Sequence, residues 1–456
     1  MKTPTRTFFA IFSVLAASSA CAGTLLDVYN QAIVNNPSLQ KAEALTDEAQ
    51  AAYANSWLSI TPRVNLTLDY ESVSQELIST ENPTFNLGEA EFDNQLRTLS
   101  IVQPIIDGEL FASIQQSNHL LNRQNSEYQV SEQNLAFDAI EGYLMALASY
   151  DAYLLAKSEH EIYLEQKNQL EVRRSSGLSS ELEYSEVAAK LSLAKTQMLQ
   201  ALAQVDNKFS ELEALTGQRL EYIQPLNVDF PLRPLEYNDV GYWLAQAQQQ
   251  NPDYLALEHG VKAARSELAK QDGSLFPTVE LRATNTYRDI GGALFGSASE
   301  SKETIVTLRV NVPIFNGDGV GYERMEAAHA WKFKQYEKVE FDRVLRQQIK
   351  TALVQVNDSI ERLPYLKTLV HSRETIVNSS EKQLAAGLIT VDTLLDDISD
   401  VYSAKRQQLS ASYNYLLGNL LLNRLTGTID IASVERVNNL LDLTAQPVER
   451  PSTYNR

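Results

Sequence analysis

Few residues of this sequence have the spacing that catalysis or metal binding requires. Five histidines are scattered along the chain, and none lies in the paired helical spacing of a zinc site. The segment NGDGVGY, which starts at Asn316, has the glycines of a phosphate-binding loop but lacks its lysine. A turn between a strand and a helix explains this segment better. The sequence therefore predicts a protein that is not an enzyme and that uses no cofactor or metal.

The composition is typical of a chain that folds and that avoids nucleic acid. Of its 456 residues, 44% are hydrophobic and 21% are charged. The formal net charge is −19, whereas phosphate binding needs clustered Lys and Arg. Nucleic acid is thus excluded as an expected partner.

The N-terminus has the pattern of a secretory signal peptide over residues 1–22. Lys2 and Arg6 precede a short apolar run, and the small residues Ala20 and Ala22 fit a cleavage site. Cys21 opens the alternative of lipid attachment, although Ser18 stands where a lipoprotein signal usually has leucine. Beyond this segment no run of apolar residues is long enough for a membrane-spanning helix. The chain is therefore expected to be exported without a helical anchor.

The rest of the chain contains two copies of one unit. Gly177-Leu178 recurs as Gly387-Leu388, and Asn36-Pro37 recurs as Asn251-Pro252, in both cases about 210 residues later. Three further landmarks recur in the same order: Pro62 and Pro277, VQPIIDG and NVPIFNG, and the two LTG triplets that end at Gly217 and Gly427. The predicted domains are a first repeat over 23–217, a linker over 218–239, a second repeat over 240–427, and a segment over 428–456 with one short helix and a disordered tail.

Each copy has the same predicted order of elements. A helix (25–59 or 240–275) is followed by two strands, a long helix (107–174 or 319–386), a Gly-Leu turn and a return helix. The strands are predicted at about 63–75 and 92–104, and at about 278–290 and 302–314. Pro364 lies inside the second long helix, so a kink or a local break is expected there.

The strands alternate apolar and polar residues, as Val64, Leu66 and Leu68 illustrate. Four such strands cannot close a membrane barrel, and a sheet edge in lipid must be paired. Several chains must then share one barrel, and the long helices need lateral neighbours as in coiled coils. A periplasmic coiled-coil scaffold without a pore is the alternative, but a scaffold has no need of these alternating strands.

In the order of its elements the sequence resembles the TolC family of outer-membrane efflux and secretion channels. The segments that carry the resemblance include NNPSLQKAEA, WLSITPRVNLTLDY, VQPIIDG, YSAKRQQLSASYNYLLGNLLLNRLTG and both Gly-Leu turns. The resemblance implies an α+β membrane protein in the bacterial outer membrane. Its homotrimer would form a twelve-strand β-barrel, continued by a periplasmic α-helical barrel with an equatorial domain from 218–238 and 428–441.

The function that this resemblance implies is a passive exit duct. A periplasmic adaptor protein and an inner-membrane transporter, of the ABC, RND or a similar class, would be its partners, and outer-membrane lipid would surround its strands. Small-molecule efflux and type I protein secretion remain open as alternatives.

The resemblance also implies functional residues near the two turns, at the periplasmic tips. The expected adaptor contacts are Ser176, Gly177, Leu178, Ala386, Gly387 and Leu388. The candidates for a constriction are Asp392, Asp396, Asp397, Glu183 and Glu186, each of which would form a ring of three carboxylates in a trimer. The alternative for these acids is a solvated helix start, where acidic residues suit the helix dipole.

Two features of the predicted sites leave alternatives open. Ile389 stands where some family members have the arginine of the gate, and Arg173 and Arg174 are candidates to replace it. Tyr70, Phe92 and Tyr287 lie near strand ends, where they are candidates for a membrane-interface girdle or for ordinary packing.

Overall fold

The computed structural model describes residues 23–79, 88–177, 179–227, 232–292, 297–314 and 320–450. The predicted signal peptide with Cys21, the tip residue Leu178, the glycine-rich turn at 315–319 and the last six residues lie outside the described residues. The prediction of a signal peptide therefore stays a prediction.

The chain divides into two compact units. The hairpin unit comprises Met1–Pro37, Glu132–Trp243 and Gln348–Arg456, and the sheet unit comprises Ser38–Ser131 and Leu244–Gln347. Both repeats contribute to both units, because each unit takes segments from either side of the linker.

The elements follow the predicted duplicated order. In the first repeat they are α1 (Leu25–Asn35), α2 (Pro37–Leu58), β1 (Arg63–Glu76), β2 (Glu89–Ile106), α3 (Gly108–Ser175) and α4 (Glu181–Thr216). The linker contains β3 (Tyr222–Ile223). In the second repeat they are α5 (Val240–Gln250), α6 (Pro252–Gly273), β4 (Thr278–Ile290), β5 (Ser299–Asn311), α7 (Val320–Ala385) and α8 (Val391–Thr426), followed by α9 (Ile431–Asn438) and β6 (Val448–Glu449).

The first helix of each repeat was predicted as one continuous helix, and this prediction is wrong. Each is two helices, which meet at Asn36 and at Asn251. The residue before a proline is pushed out of the helical region by the pyrrolidine ring, and Asn36 has an extended backbone with ψ of 116°. Asn251 then caps the next helix, since its side-chain oxygen accepts from the Tyr254 N–H at 3.1 Å.

The local break expected at Pro364 is also absent, because α7 is continuous from Val320 to Ala385. Pro364 is exposed, while Leu363 and Leu366 are buried in a cluster with Tyr415 of α8. The missing hydrogen bond thus lies on the solvent side, and packing on the other side holds the helix together. The kink stays a prediction.

The four predicted strands form one antiparallel sheet in the order β1-β2-β4-β5. The two repeats meet where β2 pairs with β4, with Ile101 opposite Ala283. Within the repeats, Leu66 lies opposite Leu99 and Leu281 lies opposite Leu308. The prediction of four strands is confirmed, including β2, whose alternation in the sequence is less regular.

The core of the hairpin unit forms around α1, α3 and α4. Leu25, Val28, Tyr143 and Phe209 are fully buried there. Thr24 begins α1 with a capping box, in which its hydroxyl oxygen accepts from the Asp27 N–H and the Asp27 carboxylate accepts from the Thr24 N–H.

The linker and the C-terminal segment pack together in the same unit. β3 pairs with β6, and Leu226 forms a bridge with Leu441. The predicted disorder of the tail is wrong as far as Arg450, whose guanidinium donates to Asp206 at 2.9 Å and to Glu213 at 2.8 Å on α4. An arginine with two carboxylate partners can hold a short strand that sequence patterns miss.

The Tyr143 hydroxyl joins three parts of the hairpin unit. It accepts from the Gln224 N–H at 2.7 Å, and it lies 3.0 Å from the carbonyl oxygens of both Gly23 and Gln224, to either of which it donates. Tyr143 is fully buried, and this burial raises the pKa of its hydroxyl well above the ordinary value. A neutral hydroxyl therefore connects α3 to the linker and to Gly23, which lies just before α1.

Tyr143→Phe is expected to lower the free energy of unfolding by about 1–3 kcal/mol, because the Gln224 N–H and a carbonyl stay buried without a partner. Urea unfolding of the protein in detergent, followed by circular dichroism, would measure the loss. Tyr365→Phe is the matched control: Tyr365 is exposed on α7, and its hydroxyl should matter by less than about 0.5 kcal/mol. Equal effects of the two substitutions would contradict the role of the buried hydroxyl.

Candidate functional site

One face of the four-stranded sheet is apolar and exposed. On β1 it carries Val64, Leu66 and Leu68, and Leu66 is 65% exposed. Cross-strand partners share a face, so the register adds Ile101 and Leu99 on β2 and Val306 on β5. The opposite face of β1 carries Asn65, Thr67 and Asp69. The sheet unit thus presents an apolar surface that its own described residues leave uncovered, with Asn285 and Thr304 as polar residues in the row of Leu66 and Leu99.

Residues that lie opposite one another across the four strands form a row. Along the strands of the apolar face, the apolar rows are followed by rows of polar and aromatic residues. Tyr287 lies in register with Arg97, and the Arg97 guanidinium carbon is 5.5 Å from the centre of the Tyr287 ring. One row further, the Tyr70 hydroxyl donates to the Asp93 carboxylate at 2.8 Å. Tyr70 and Tyr287 therefore lie on the apolar face where it becomes polar.

The third aromatic candidate, Phe92, lies elsewhere. It is opposite Val73 in the register, which places it on the other face of the sheet from Tyr70 and Tyr287. A strand alternates faces at every residue, so an even and an odd position of one strand cannot share a face without a bulge. Sequence position near a strand end was not sufficient to assign Phe92 to the group.

Both predicted Gly-Leu turns are present in the hairpin unit. Gly177 has φ of +72° and Gly387 has φ of +74°, in the left-handed region. At the second turn the Gly387 N–H donates to the Leu384 carbonyl (3.0 Å) and the Leu388 N–H donates to the Gln383 carbonyl (2.9 Å), which is the Schellman pattern. At the end of α3 the Gly177 N–H likewise donates to the Arg174 carbonyl at 2.9 Å, which is the bond that Gly387 makes to Leu384.

The surface of the second turn is apolar. Leu388 is 74% exposed, and Ala386 lies next to Gly387. Ser176 precedes Gly177 at the first turn and is also exposed. The described tip residues are thus accessible, and their predicted contact with an adaptor stays a prediction.

Behind the turns, α3, α4 and α8 share a small hydrophobic cluster. It contains Tyr163 and Leu170 of α3, Val187 of α4, and Val391 and Leu394 of α8. The Tyr163 hydroxyl donates to the Leu395 carbonyl at 3.3 Å. The two hairpins are therefore packed together close to their tips.

The acidic candidates of the first repeat have different surroundings. Glu183 belongs to the capping box of α4: its carboxylate accepts from the Ser180 N–H and from the Ser179 hydroxyl, both at 2.8 Å. These hydrogen bonds, the one from the Ser180 backbone first, hold the pKa of Glu183 below its usual range. Glu186 is half-buried on the same helix. The helix-start alternative thus accounts for Glu183.

The three aspartates of the second repeat point in different directions. Asp396 accepts from Lys190 of α4 at 2.9 Å and joins the two return helices. Asp397 accepts from the Ser380 hydroxyl of α7, inside its own hairpin. Asp392 is exposed in the first turn of α8 and has no such partner among the described residues.

The candidate arginines lie beside the first turn. Arg174 forms an ion pair with Glu181 at 3.2 Å, and its guanidinium carbon is 4.6 Å from the centre of the Tyr184 ring. Arg173 is exposed next to it. Arg174 is therefore already engaged by Glu181 and Tyr184 of the same tip.

Two ion-pair residues near the tips were missed by the sequence analysis. Lys190 is the partner of Asp396, and Glu159 of α3 pairs with Arg406 of α8 at 2.6 Å. The Glu159 side chain is only 5% exposed. Glu159 lies three residues after the buried Ala156 and four before the buried Tyr163. This helical spacing places Glu159 on the buried face and could have identified it from the sequence.

These features define a class of protein: a duplicated chain with two long helical hairpins and an antiparallel sheet whose apolar face is exposed. No helix of the described residues is long and apolar enough to cross a membrane. A family model described as "Outer membrane efflux protein" matches residues 28–218 and 243–428. The chain belongs to this family of outer-membrane efflux proteins.

Curated relatives match over nearly their whole length. The alkaline protease secretion protein AprF of Pseudomonas aeruginosa is 26% identical over 94% of this chain and 89% of its own length. The outer membrane protein TolC of Escherichia coli is 24% identical over 93% of this chain and 86% of its own length. Among solved structures, the outer-membrane channel OprN has a TM-score of 0.78 at 18% identity, covering 89% of this chain and 90% of its own.

Several sequence predictions are confirmed by these matches. The chain is an outer-membrane channel protein of a family that serves secretion and efflux, is located in the bacterial outer membrane, and is not an enzyme. Its fold is that of outer-membrane channels such as OprN and VceC of Vibrio cholerae. The scaffold alternative has no support.

Gly387→Ala is expected to lower the free energy of unfolding by about 1–2 kcal/mol, because the left-handed conformation is strained for any residue with a Cβ. No atom lies within 4 Å of the position of the new Cβ, so crowding contributes nothing.

Gly260→Ala is the matched control for this substitution. Gly260 lies inside α6, and the nearest atom to its added Cβ, the Cδ of Arg123, is at an ordinary contact distance of 3.9 Å. This substitution should stabilise the protein by about 0.5–1 kcal/mol. Urea unfolding would compare the two variants, and a change of the same sign in both would refute the role of backbone conformation.

Proposed function

We propose that three copies of this chain form a passive exit duct through the outer membrane, and that its cargo is a polypeptide exported by type I secretion. An inner-membrane transporter of the ABC class would supply the energy, and a periplasmic adaptor would connect it to the tips. The observation that carries this proposal is the exposed apolar face of the sheet, together with the two exposed hairpin turns.

The apolar face is the kind of surface that lipid covers. Val64, Leu66 and Leu68 on one edge strand and Val306 and Leu308 on the other are all more than half exposed. A water-exposed apolar surface of this extent would be a liability, whereas lipid removes that cost. Tyr70 and Tyr287, beside charged Arg97, fit an interface girdle in which aromatic rings lie at the boundary with water.

The edges of the sheet support association with further copies. Within the described residues β1 pairs with β2 alone and β5 with β4 alone, so two edges are open. Lipid cannot satisfy the backbone groups of an open edge. Pairing β5 of one copy with β1 of the next closes twelve strands when three copies take part.

A stripe on α7 supports the same association in the sheet unit. Tyr322, Phe333 and Val344 follow one another at intervals of eleven residues, with Met325 and Tyr336 three residues after the first two, and all five are exposed. An eleven-residue period keeps side chains on one face of a helix. Such a face matches a neighbouring helix, and a second copy of this chain would supply it.

The choice of a polypeptide cargo rests on which relatives match along the whole chain. The alignment with this chain includes 89% of AprF and 90% of the proteases secretion protein PrtF of Dickeya chrysanthemi. The outer membrane protein OprJ and a solvent efflux protein match over only 55% of this chain. Among the relatives whose names state an exported cargo, full-length similarity thus favours the secretion proteins.

Deletion of the gene is expected to remove at least one large protein from the culture medium, while drug sensitivity changes little. Quantitative proteomics of the medium and growth assays with a panel of drugs would measure both effects. The same strain complemented with the Gly260→Ala variant serves as the control. An unchanged secretome with raised drug sensitivity would refute the polypeptide cargo, and a monomer in native mass spectrometry of the detergent-solubilised protein would refute the trimer.

The carboxylates at the second tip are candidates for a constriction. Asp392 is exposed and without a partner among the described residues, so it is the strongest candidate for a ring of three carboxylates. Asp396 has a different proposed role, since its bond to Lys190 links the two hairpins of one copy. Arg173, exposed at the first tip, is a candidate partner for the carboxylates of the second tip of a neighbouring copy.

Asp392→Asn is expected to raise the concentration of divalent cation that blocks half of the single-channel current by several-fold, because a ring of charges attracts such ions. Planar-bilayer recordings would measure it. Asp397→Asn is the matched control, since Asp397 is turned to Ser380 within its own hairpin. A change in divalent-cation block for Asp397→Asn, with none for Asp392→Asn, would show that Asp392 was the wrong choice for the ring.

A further inference from the structure

Two histidines that the channel function leaves unused lie in the sheet unit. His119 is on α3 and His259 is on α6, and both are half-buried. The Nδ1 atom of each ring is buried and has no hydrogen-bond partner among the described residues. Two buried ring nitrogens without partners in one helix pair are unusual, because buried polar atoms are normally satisfied.

The two histidines lie on helices that are in close contact. A Cβ on Gly273 of α6 would come within 2.7 Å of the Gly108 carbonyl carbon at the start of α3. Further along, the Cδ of Arg123 on α3 lies 3.9 Å from the position that a Cβ on Gly260 of α6 would take. The helices are therefore antiparallel neighbours over this stretch. His119 precedes Arg123 by four residues, and His259 directly precedes Gly260.

The charges around the two rings disfavour any further positive charge. The positive charge of Lys262 on α6 acts on both rings, and His119 acts in the same sense on His259. The carboxylates nearby are engaged: Glu258 accepts from Lys262 at 2.7 Å and from Lys338 of α7 at 3.3 Å, and Glu127 accepts from Arg123 at 2.7 Å.

Protonation of the rings is therefore opposed at this contact. Burial, and after it Lys262, hold the pKa of His119 and of His259 below the ordinary value, although Glu258 partly offsets this for His259. A metal cation would meet the same repulsion from Lys262, so the pair is better suited to respond to protons than to bind a metal.

We propose that His119 and His259 form an acid-responsive contact, which holds α6 against α3 while both rings are neutral and loosens when they become charged. Because the packed state binds protons less strongly than the open state, the contact is stable above pH 6.5 and is lost as the pH falls below that value. The equilibrium for opening would rise by up to about tenfold per pH unit for each imidazole. The periplasmic helices next to the sheet would then loosen in acid without a change at the tips.

Hydrogen–deuterium exchange of the full-length protein in detergent tests this proposal. Exchange in 112–126 and 252–266, corrected for the intrinsic effect of pH, should rise by several-fold between pH 7.5 and 5.5, and by no more than about a hundredfold for the two imidazoles together. His119→Gln with His259→Gln should remove this rise. His371→Gln, at an exposed histidine of α7 in the hairpin unit, is the matched control and should keep it.

A second variant keeps the test decisive if the double variant does not fold. Lys262→Gln removes a positive charge that opposes protonation of both rings, so the proton affinity of the packed state should move closer to that of the open state. The rise in exchange between pH 7.5 and 5.5 should therefore be smaller than in the wild-type protein, whereas loss of a packing role alone would raise exchange equally at both pH values. The proposal is overturned if the wild-type protein shows no acid-dependent exchange in these segments, if the double variant retains it, or if Lys262→Gln leaves the size of this rise unchanged.

Discussion

Strand register at the junction of the two repeats is the constraint on which the rest of the structure depends. Side chains alternate faces at every residue, so a slip of one residue between β2 and β4 would turn the apolar residues of one repeat to the polar face of the other. The observed register sets Ile101 opposite Ala283 and thereby joins both apolar faces into one surface. Only then does the duplicated chain present a single face that lipid can cover.

Besides their hydrophobic cluster, the hairpins are joined by ion pairs of different burial. Lys190 and Asp396, near the tips, form a largely exposed pair, which contributes about 0–1 kcal/mol. The pair of Arg406 with Glu159 lies about 15 Å further along α8. Because the Glu159 carboxylate is nearly buried, loss of its partner would cost about 3–5 kcal/mol. The tips can therefore change contacts while the helices behind them stay together.

How much of this was predictable from the sequence depends on whether a feature is local. The strands and the two turns follow from period-two alternation and from glycines that must adopt a positive φ, so the sequence predicted them nearly in full. The breaks at Asn36 and Asn251 are also local, and the proline rule should have located them. In contrast, packing of Leu363 and Leu366 keeps α7 continuous at Pro364, and Arg450 orders the tail through residues of α4. The partner of Asp396 likewise required knowledge that α4 lies beside α8.

The two tips share the backbone conformation of their glycine but differ in the side chains beside it. Both keep the left-handed glycine, because each long helix must reverse there. At the first tip Arg174 contacts Glu181 and the ring of Tyr184. The corresponding residues of the second tip are the apolar Leu384, Val391 and Leu394, of which Val391 and Leu394 are buried. Identical tips would make every contact around a ring of hairpins the same. Because the tips differ, a ring built from identical chains would alternate a tip with a paired arginine and glutamate and a tip with exposed Leu388 and Asp392.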